Sequence, residues 1–304
     1  MNVTKTNDVR GAIDWGTLGP LRIRSRLVAE GVYAGAHRSA RRGAGIEFGG
    51  HREYVPGDDL RWLDRRSLLR HDRLLVRQFE TETDRVLRLV VDATASMGYR
   101  GKRAPASKLA FAAVVAAALG RIAVTSGDPV GLTYFGGAAS ARGVPVSGGR
   151  EAFERLVASL EASGAGGDHR TDLAALDRVI APLARGARRG SLVVFLSDLI
   201  DLPEAAADRV ASIAARGKGV VVVQVLDPDE AELPFEGTVR LRALEGGLVV
   251  ETDVEATRAE YLSRLHALQD AWDRALVARG GRLVKVRSNE DPVRAVRAAI
   301  EAAR

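Results

Sequence analysis

Oxygen-bearing side chains follow two apolar runs of the sequence that have the composition of buried strands. Asp92, Thr94 and Ser96 come directly after the first run. Asp198 comes after the second run, separated from it by a serine. Carboxylate and hydroxyl oxygens are hard ligands of the kind that Mg²⁺ binds octahedrally at about 2.1 Å, whereas zinc prefers nitrogen and sulfur. These residue types therefore predict a site for Mg²⁺ or another divalent cation such as Mn²⁺.

A fifth candidate ligand, Thr171, precedes a predicted helix and adds a third hydroxyl group. Because only Asp92 and Asp198 are charged, the two carboxylates would roughly balance a divalent ion and leave it electrophilic. A carboxylate of another molecule could then take a coordination position that water would otherwise occupy. The alternative is that these residues only end strands and cap helices, since Asp, Ser and Thr are common at such positions.

The elements that must position these residues follow from the hydrophobic pattern after Arg85. Runs rich in β-branched residues predict strands over 86–92, 132–135, 141–146, 191–196, 220–225 and 282–286. Helical patterns cover 107–125, 150–163, 171–185, 203–216, 254–279 and the residues from 292 onwards. Strands that alternate with helices predict an α/β fold, in which a doubly wound, mostly parallel sheet has helices on both faces.

This fold would bring the candidate ligands together. In open α/β sheets, ligands bind at the carboxyl ends of the strands, at the point where the strand order reverses. In the common doubly wound order, the first and fourth strands are the neighbours at this point. We therefore expect Asp92 and Asp198 to face one crevice.

The composition is typical of a globular protein of one or two domains, with 46% hydrophobic and 28% charged residues in a chain of 304. The absence of cysteine excludes a disulfide framework, a thiolate zinc site and a cysteine nucleophile. The longest nearly uncharged stretch, 109–119, is shorter than the ~20 apolar residues that cross a bilayer. We expect no membrane span and a cytoplasmic protein.

The N-terminal region differs from the rest of the chain. Residues 1–85 contain 16 Lys and Arg against 12 Asp and Glu, so most of the net charge of +6 lies there. We predict a basic N-terminal segment or subdomain over residues 1–84 and a sheet domain over 85–304, with a β-hairpin inserted near 227–251. The acidic stretch 227–232 is interpreted as a solvated loop.

Charged residues of both signs cluster within the N-terminal segment, at Arg52, Asp58, Asp59, Arg61 and Asp64. One interpretation is an internal ion-pair network that ties this segment to the sheet domain. The other is a surface that binds a partner, including an acidic polymer or nucleic acid. The interleaved acidic residues make nucleic acid the weaker alternative.

The stretch from Val86 to Met97, together with Thr171 and Asp198, resembles a von Willebrand factor A domain and its metal-ion-dependent adhesion site. The resemblance implies the same five metal ligands. Thr94 departs from the usual pattern, which has serine at this position. The hydroxyl group is kept, and a methyl group is added.

The N-terminal half adds a second resemblance. The segments 47–48, 52–54, 56–59 and 63–64, with Arg61, resemble the signature of the bacterial domain-of-unknown-function family fifty-eight. This resemblance covers nearly the whole chain. Members of the family resemble adaptor proteins and are typically associated with MoxR-type AAA+ ATPases, which implies such an ATPase or its client as the partner.

Together these observations predict a noncatalytic, metal-dependent protein-binding module rather than an enzyme. A metal-assisted hydrolase that uses the same crevice is the alternative, with His169 as its general base. The sequence contains no HExxH spacing and no phosphate-binding loop.

Overall fold

A computed structural model describes residues 21–34, 47–53, 75–80, 85–137, 142–167, 173–186, 190–200, 202–203, 205–214, 217–245 and 248–303. The Arg52 backbone and most of the sheet domain fall within these ranges. Thr171, His169, Asp58, Asp59, Arg61 and Asp64 lie outside them.

Helices and strands alternate along most of the chain. The strands are β1 (Glu47–Glu53), β2 (Leu75–Glu80), β3 (Leu87–Asp92), β4 (Val130–Phe135), β5 (Val144–Ser147), β6 (Leu192–Ser197), β7 (Gly219–Leu226), β8 (Thr238–Arg242), β9 (Val249–Asp253) and β10 (Arg282–Arg287). The helices are α1 (Leu21–Ala34), α2 (Lys108–Thr125), α3 (Gly149–Ala162), α4 (Leu173–Gly186), α5 (Ala206–Ala211), α6 (Pro228–Glu232), α7 (Val254–Val277) and α8 (Pro292–Ala302).

Six strands form the main sheet in the order β10-β7-β6-β3-β4-β5. All neighbouring pairs are parallel except β4 and the short edge strand β5. The chain therefore leaves β3 towards one edge and returns to its other side at β6, which is where the strand order reverses. The predicted doubly wound α/β fold is confirmed. The first and fourth strands of the sheet domain, β3 and β6, are neighbours as expected.

Both faces of the sheet are covered by helices. One face packs against α2, α3 and α8, and the other against α4, α5 and α7. Helix α2 is the central core helix, and Ser107 caps it by accepting a hydrogen bond from the Ala110 amide. With 18 residues, the helix is long and apolar enough to cross a membrane, but 78% of these residues are buried inside the fold. Burial of this kind is typical of a core helix.

The N-terminal region divides between two compact units, residues 1–36 with 84–304 and residues 37–83. Helix α1 contacts α2 and α8, and it buries Leu21, Val28 and Val32. In the second unit β1 pairs with β2 in antiparallel register, with Arg52 opposite Val76. The structure thus groups α1 with the sheet, whereas the predicted division at residue 84 separates them.

One helix of the sheet domain differs from its predicted form, whereas the predicted β-hairpin is present. The helix predicted over 203–216 is shorter, because α5 ends at Ala211 and is followed by a 3-10 turn over Ser212–Ala214. Beyond β7, strands β8 and β9 form an antiparallel hairpin that leads directly into α7.

Candidate functional site

The end of β3 carries a cluster of oxygen atoms around the Asp92 carboxylate. The Thr94 amide and hydroxyl donate hydrogen bonds to Asp92 Oδ1 at 2.9 and 2.8 Å. Ser197, the last residue of β6, donates from its hydroxyl to Asp92 Oδ2 at 2.6 Å. The hydroxyls of Thr94 and Ser96 are 3.0 Å apart. The first three predicted ligands therefore lie together, and Asp92 is bound by neutral groups.

Asp198, at the end of the neighbouring strand, has an ionic partner. Lys108, the first residue of α2, donates from Nζ to Asp198 Oδ2 at 2.7 Å and to Glu230 Oε1 at 2.6 Å. The side chains of Lys108 and Asp198 are fully buried. The Ile200 amide donates to Asp198 Oδ1 at 3.0 Å. Both carboxylate oxygens of Asp198 are thus engaged within the protein.

The turn after β6 is held in an uncommon conformation. Leu199 has φ of +63°, in the left-handed region that residues with a side chain rarely adopt. Its amide donates to Ser197 Oγ at 3.0 Å, and the Asp198 carbonyl accepts from Gln224 Nε2 at 3.0 Å. These hydrogen bonds stabilise the turn and fix the direction in which Asp198 leaves the sheet.

The two aspartates differ in their electrostatic surroundings. Burial, and then the negative charge of Asp198, raise the pKa of Asp92 to about 7. Burial alone would lower the pKa of Lys108, but the charges of Asp198 and Glu230 outweigh it and raise that pKa. Lys108 is therefore a permanent internal cation. Asp92 has no such cation beside it among the contacts just described.

The donor atoms around Asp92 fit Mg²⁺. Neighbouring oxygens in an octahedron with metal–oxygen distances of about 2.1 Å are about 3.0 Å apart. Asp92 Oδ1 lies 2.8 Å from Thr94 Oγ1, which lies 3.0 Å from Ser96 Oγ. Hydrogen bonds hold the three oxygens at this spacing. Among the described residues, no three His, Asp or Glu side chains form a metal-binding group, so an ion here would depend on hydroxyl ligands.

Lys108 changes the charge balance that two carboxylates alone would have. With Asp92 ionised, Asp92, Asp198 and Glu230 contribute three negative charges, and Lys108 contributes one positive charge. Two negative charges remain, which a divalent cation would offset. The sequence suggested a balance between the ion and two carboxylates, whereas the structure distributes this charge over four residues.

The acidic stretch 227–232 is not the solvated loop that the sequence suggested. It forms the short helix α6, in which Asp227 is the N-cap residue and accepts hydrogen bonds from the Asp229 and Gly101 amides at 2.8 Å each. A Cβ atom on Gly101 would clash with the carboxylates of Asp229 and Asp227, so any larger residue here would require these side chains to move. Glu230 of this helix holds Lys108. Backbone amides and a buried ammonium group thus hold Asp227, Asp229 and Glu230, while Glu232 lies at the surface.

A carboxylate from the β8–β9 hairpin also reaches the site. Glu245 Oε1 accepts a hydrogen bond from the Ser96 amide at 3.0 Å. A cavity of about 900 Å³ opens beside this contact, lined by Ser96, Asp198, the hairpin and the first turns of α7. Ligand-binding pockets commonly have volumes of about 300 to 1,000 Å³. Of the predicted ligands that the structure describes, Ser96 and Asp198 line this cavity, whereas Asp92 and Thr94 are buried and do not line it.

Sequence reasoning missed Lys108, Glu230 and Glu245. Lys108 had a signal, because it is a lone charged residue between a cap and an Ala-rich apolar helix. Glu230 and Glu245 are ordinary surface residue types in segments without a motif. The fifth predicted ligand, Thr171, and the candidate base, His169, lie outside the described residues, as do the charged residues of the 58–64 segment.

The fold and the cluster around Asp92 define a doubly wound α/β protein with a candidate cation site at the point where its strand order reverses. The model of the family "Protein of unknown function DUF58" matches residues 50–270, and the chain belongs to this family.

Several known proteins are similar to this chain. The protein "Uncharacterized protein Rv1480" of Mycobacterium tuberculosis is 32% identical over 295 residues, which cover 93% of this chain and 89% of the relative. An aerotolerance-related membrane protein from Bacteroides fragilis is 19% identical, with a TM-score of 0.45 over 71% of this chain and 97% of its own. The SpRpn10 VWA domain is 10% identical, with a TM-score of 0.39 over 70% and 93% of the two chains.

Proposed function

We propose that this protein is a noncatalytic binding module in which a divalent cation, Mg²⁺ or Mn²⁺, links it to a carboxylate of a protein partner. Asp92, Thr94 and Ser96 would hold the ion, and Thr171 is a further proposed ligand. Asp198, which is paired with Lys108, would contribute its charge to the site rather than a free ligand oxygen. The observation that carries the proposal is the cluster of one carboxylate and two hydroxyls at the reversal of strand order, whose oxygens are close enough together to bind one Mg²⁺.

Each residue has a separate part in this function. The bound cation would supply an electrophilic position for an incoming carboxylate. Thr94 and Ser197 orient the Asp92 carboxylate through their hydroxyl groups. Lys108 neutralises the charge of Asp198, which reduces the electrostatic repulsion between the site and the carboxylate of a partner.

Family membership supports the choice of partner. The chain belongs to the DUF58 family, whose members resemble adaptor proteins and are typically associated with MoxR-type AAA+ ATPases. We therefore propose such an ATPase or its client as the partner. A cytoplasmic location is part of the same proposal. A surface formed by Arg52, Asp58, Asp59, Arg61 and Asp64 is a second candidate interface, which the same experiment addresses.

The test is the affinity of the purified protein for a purified MoxR-type ATPase, measured in Mg²⁺ and again in chelator. We expect the affinity to fall in the order parent, Ser96→Ala, chelated parent, because chelation removes every interaction with the ion and Ser96→Ala removes one neutral ligand. Ser212→Ala is the matched control, since Ser212 is an exposed serine outside the site. Equal affinity with and without chelator would overturn the metal link and favour the N-terminal charged surface.

A further inference from the structure

The β8–β9 hairpin places one carboxylate in the candidate site while most of its other side chains are exposed. Glu245 is only 5% exposed, and its carboxylate accepts the Ser96 amide hydrogen bond. Burial of a carboxylate is costly unless hydrogen bonds or charges compensate it. The contact with Ser96 therefore holds Glu245 in the site.

The same hairpin presents apolar side chains beside this carboxylate. Leu244 and Leu248 line the cavity and are 48% and 60% exposed. Phe235 and Tyr261 line other parts of the cavity. Exposed apolar surface that adjoins a cavity is typical of an interaction site. The cavity thus combines apolar walls with a carboxylate position at its inner end.

We infer that Leu244 and Glu245 act as an intramolecular ligand, and that the partner segment that displaces them has the same chemistry, a carboxylate next to a leucine-like side chain. This inference rests on the proposed function, in which the partner supplies a carboxylate. The position of Glu245 supports it, because its carboxylate lies against Ser96, one of the proposed ligands of the ion.

Competition between the hairpin and a partner would regulate binding. A tethered segment acts at an effective concentration of about millimolar. A partner segment that makes the same contacts as the hairpin must therefore compete with the tethered Leu244 and Glu245. Its apparent affinity falls in proportion to the fraction of molecules in which the site is open. Removal of the Glu245 carboxylate should raise this fraction.

The probe is a synthetic peptide that repeats residues 240–249 of this chain, Arg-Leu-Arg-Ala-Leu-Glu-Gly-Gly-Leu-Val. Its affinity is measured by calorimetry in Mg²⁺ and in chelator for the full-length parent, Glu245→Ala and Glu251→Ala. Glu251 is an exposed carboxylate on the same hairpin, opposite Arg240, and serves as the matched control. We expect Glu245→Ala to bind the peptide at least tenfold more tightly than the parent and Glu251→Ala to bind like the parent. A peptide in which glutamine replaces its single glutamate should not bind Glu245→Ala more tightly than it binds the parent.

Glu245→Gln keeps the size and one acceptor oxygen, so it tests the inference with packing preserved, and we expect a smaller gain. Peptide affinities within twofold for the parent, Glu245→Ala and Glu245→Gln would overturn the intramolecular ligand. If those affinities are equal and all fall in chelator, the metal-dependent function stands without the hairpin's role. If Glu245→Ala gains tenfold both in Mg²⁺ and in chelator, the hairpin competes as inferred and the metal link is overturned.

Discussion

Asp92 and Asp198 lie at the carboxyl ends of the neighbouring parallel strands β3 and β6, but their carboxylates have different hydrogen-bond partners. Asp92 accepts hydrogen bonds from neutral groups, the Thr94 amide and hydroxyl and the Ser197 hydroxyl. Asp198 accepts one from the ammonium group of Lys108. One carboxylate is thus neutralised by an ammonium group inside the fold, while the other is hydrogen-bonded only to neutral groups in the contacts described.

Lys108 creates this difference because of its place in helix α2. Ser107 caps the helix, so Lys108 is its first residue and its side chain lies against the ends of the strands. Asp198 and Glu230 together surround the ammonium group. Removal of one partner from a buried ion pair leaves an uncompensated charge, which typically costs about 3 to 5 kcal/mol. The ion pair is therefore expected to contribute to the fold, and Asp92 to ligand binding.

The largest expected effect comes from removal of the internal cation. Lys108→Met keeps the length of the side chain but leaves two carboxylates without their ammonium partner. We expect the free energy of unfolding to fall by about 3 to 5 kcal/mol, as measured by urea denaturation followed by circular dichroism. Lys102→Met, which changes an exposed lysine in the preceding loop, is the control and should change little. A loss below about 1 kcal/mol for Lys108→Met would contradict the structural role given to this ion pair.

A smaller loss is expected when only one anion is removed from Lys108. Glu230→Gln keeps an acceptor oxygen but removes its charge, and Asp198 remains. We expect a loss of about 1.5 kcal/mol in the same denaturation experiment. Glu232→Gln, on the same helix, is the control, because Glu232 pairs with Arg103 and Arg287 at the surface. A loss as large as that of Lys108→Met would mean that Glu230, rather than Asp198, is the main partner.

Asp92→Asn should have the opposite profile, with a small effect on stability and a large one on cation binding. Asparagine retains one acceptor oxygen, and the hydroxyls of Thr94 and Ser197 can rotate to accept from its amide. We expect a change of about 1 kcal/mol in unfolding free energy and loss of the Mg²⁺ binding heat in calorimetry. Asp208→Asn, at an exposed site outside the crevice, should bind Mg²⁺ like the parent. Unchanged Mg²⁺ binding by Asp92→Asn would remove Asp92 from the proposed site.

The smallest effect is expected from the position at which the chain departs from the adhesion-site pattern. Thr94→Ser keeps the hydroxyl group, so the Mg²⁺ affinity measured by calorimetry should stay within about threefold of the parent. Thr94→Val keeps the shape and removes the hydroxyl, and it should weaken Mg²⁺ binding more than Thr94→Ser does. A larger loss of Mg²⁺ affinity for Thr94→Ser than for Thr94→Val would show that the methyl group, and not the oxygen, matters at this position.

The sequence by itself was sufficient for the sheet and for one half of the candidate site. Strand and helix patterns arise from local periodicity, and turn and cap residues such as Ser107 mark the ends of these elements. Asp92, Thr94 and Ser96 lie within five residues on one strand end. Their proximity therefore depends on local geometry, which a pattern can predict. The reversal of strand order followed from general rules for α/β sheets.

Only the tertiary structure decided the charges around the second aspartate and the position of the hairpin. Lys108 is 90 positions from Asp198 and 122 from Glu230, and Ser96 is 149 positions from Glu245. No periodicity links residues so far apart. Whether these charged side chains meet depends on how helices and loops pack over the ends of the strands, and on the burial that makes an unpaired charge costly. A lysine, a glutamate in an acidic stretch and a hairpin glutamate therefore look like surface residues until the fold brings them to the same crevice.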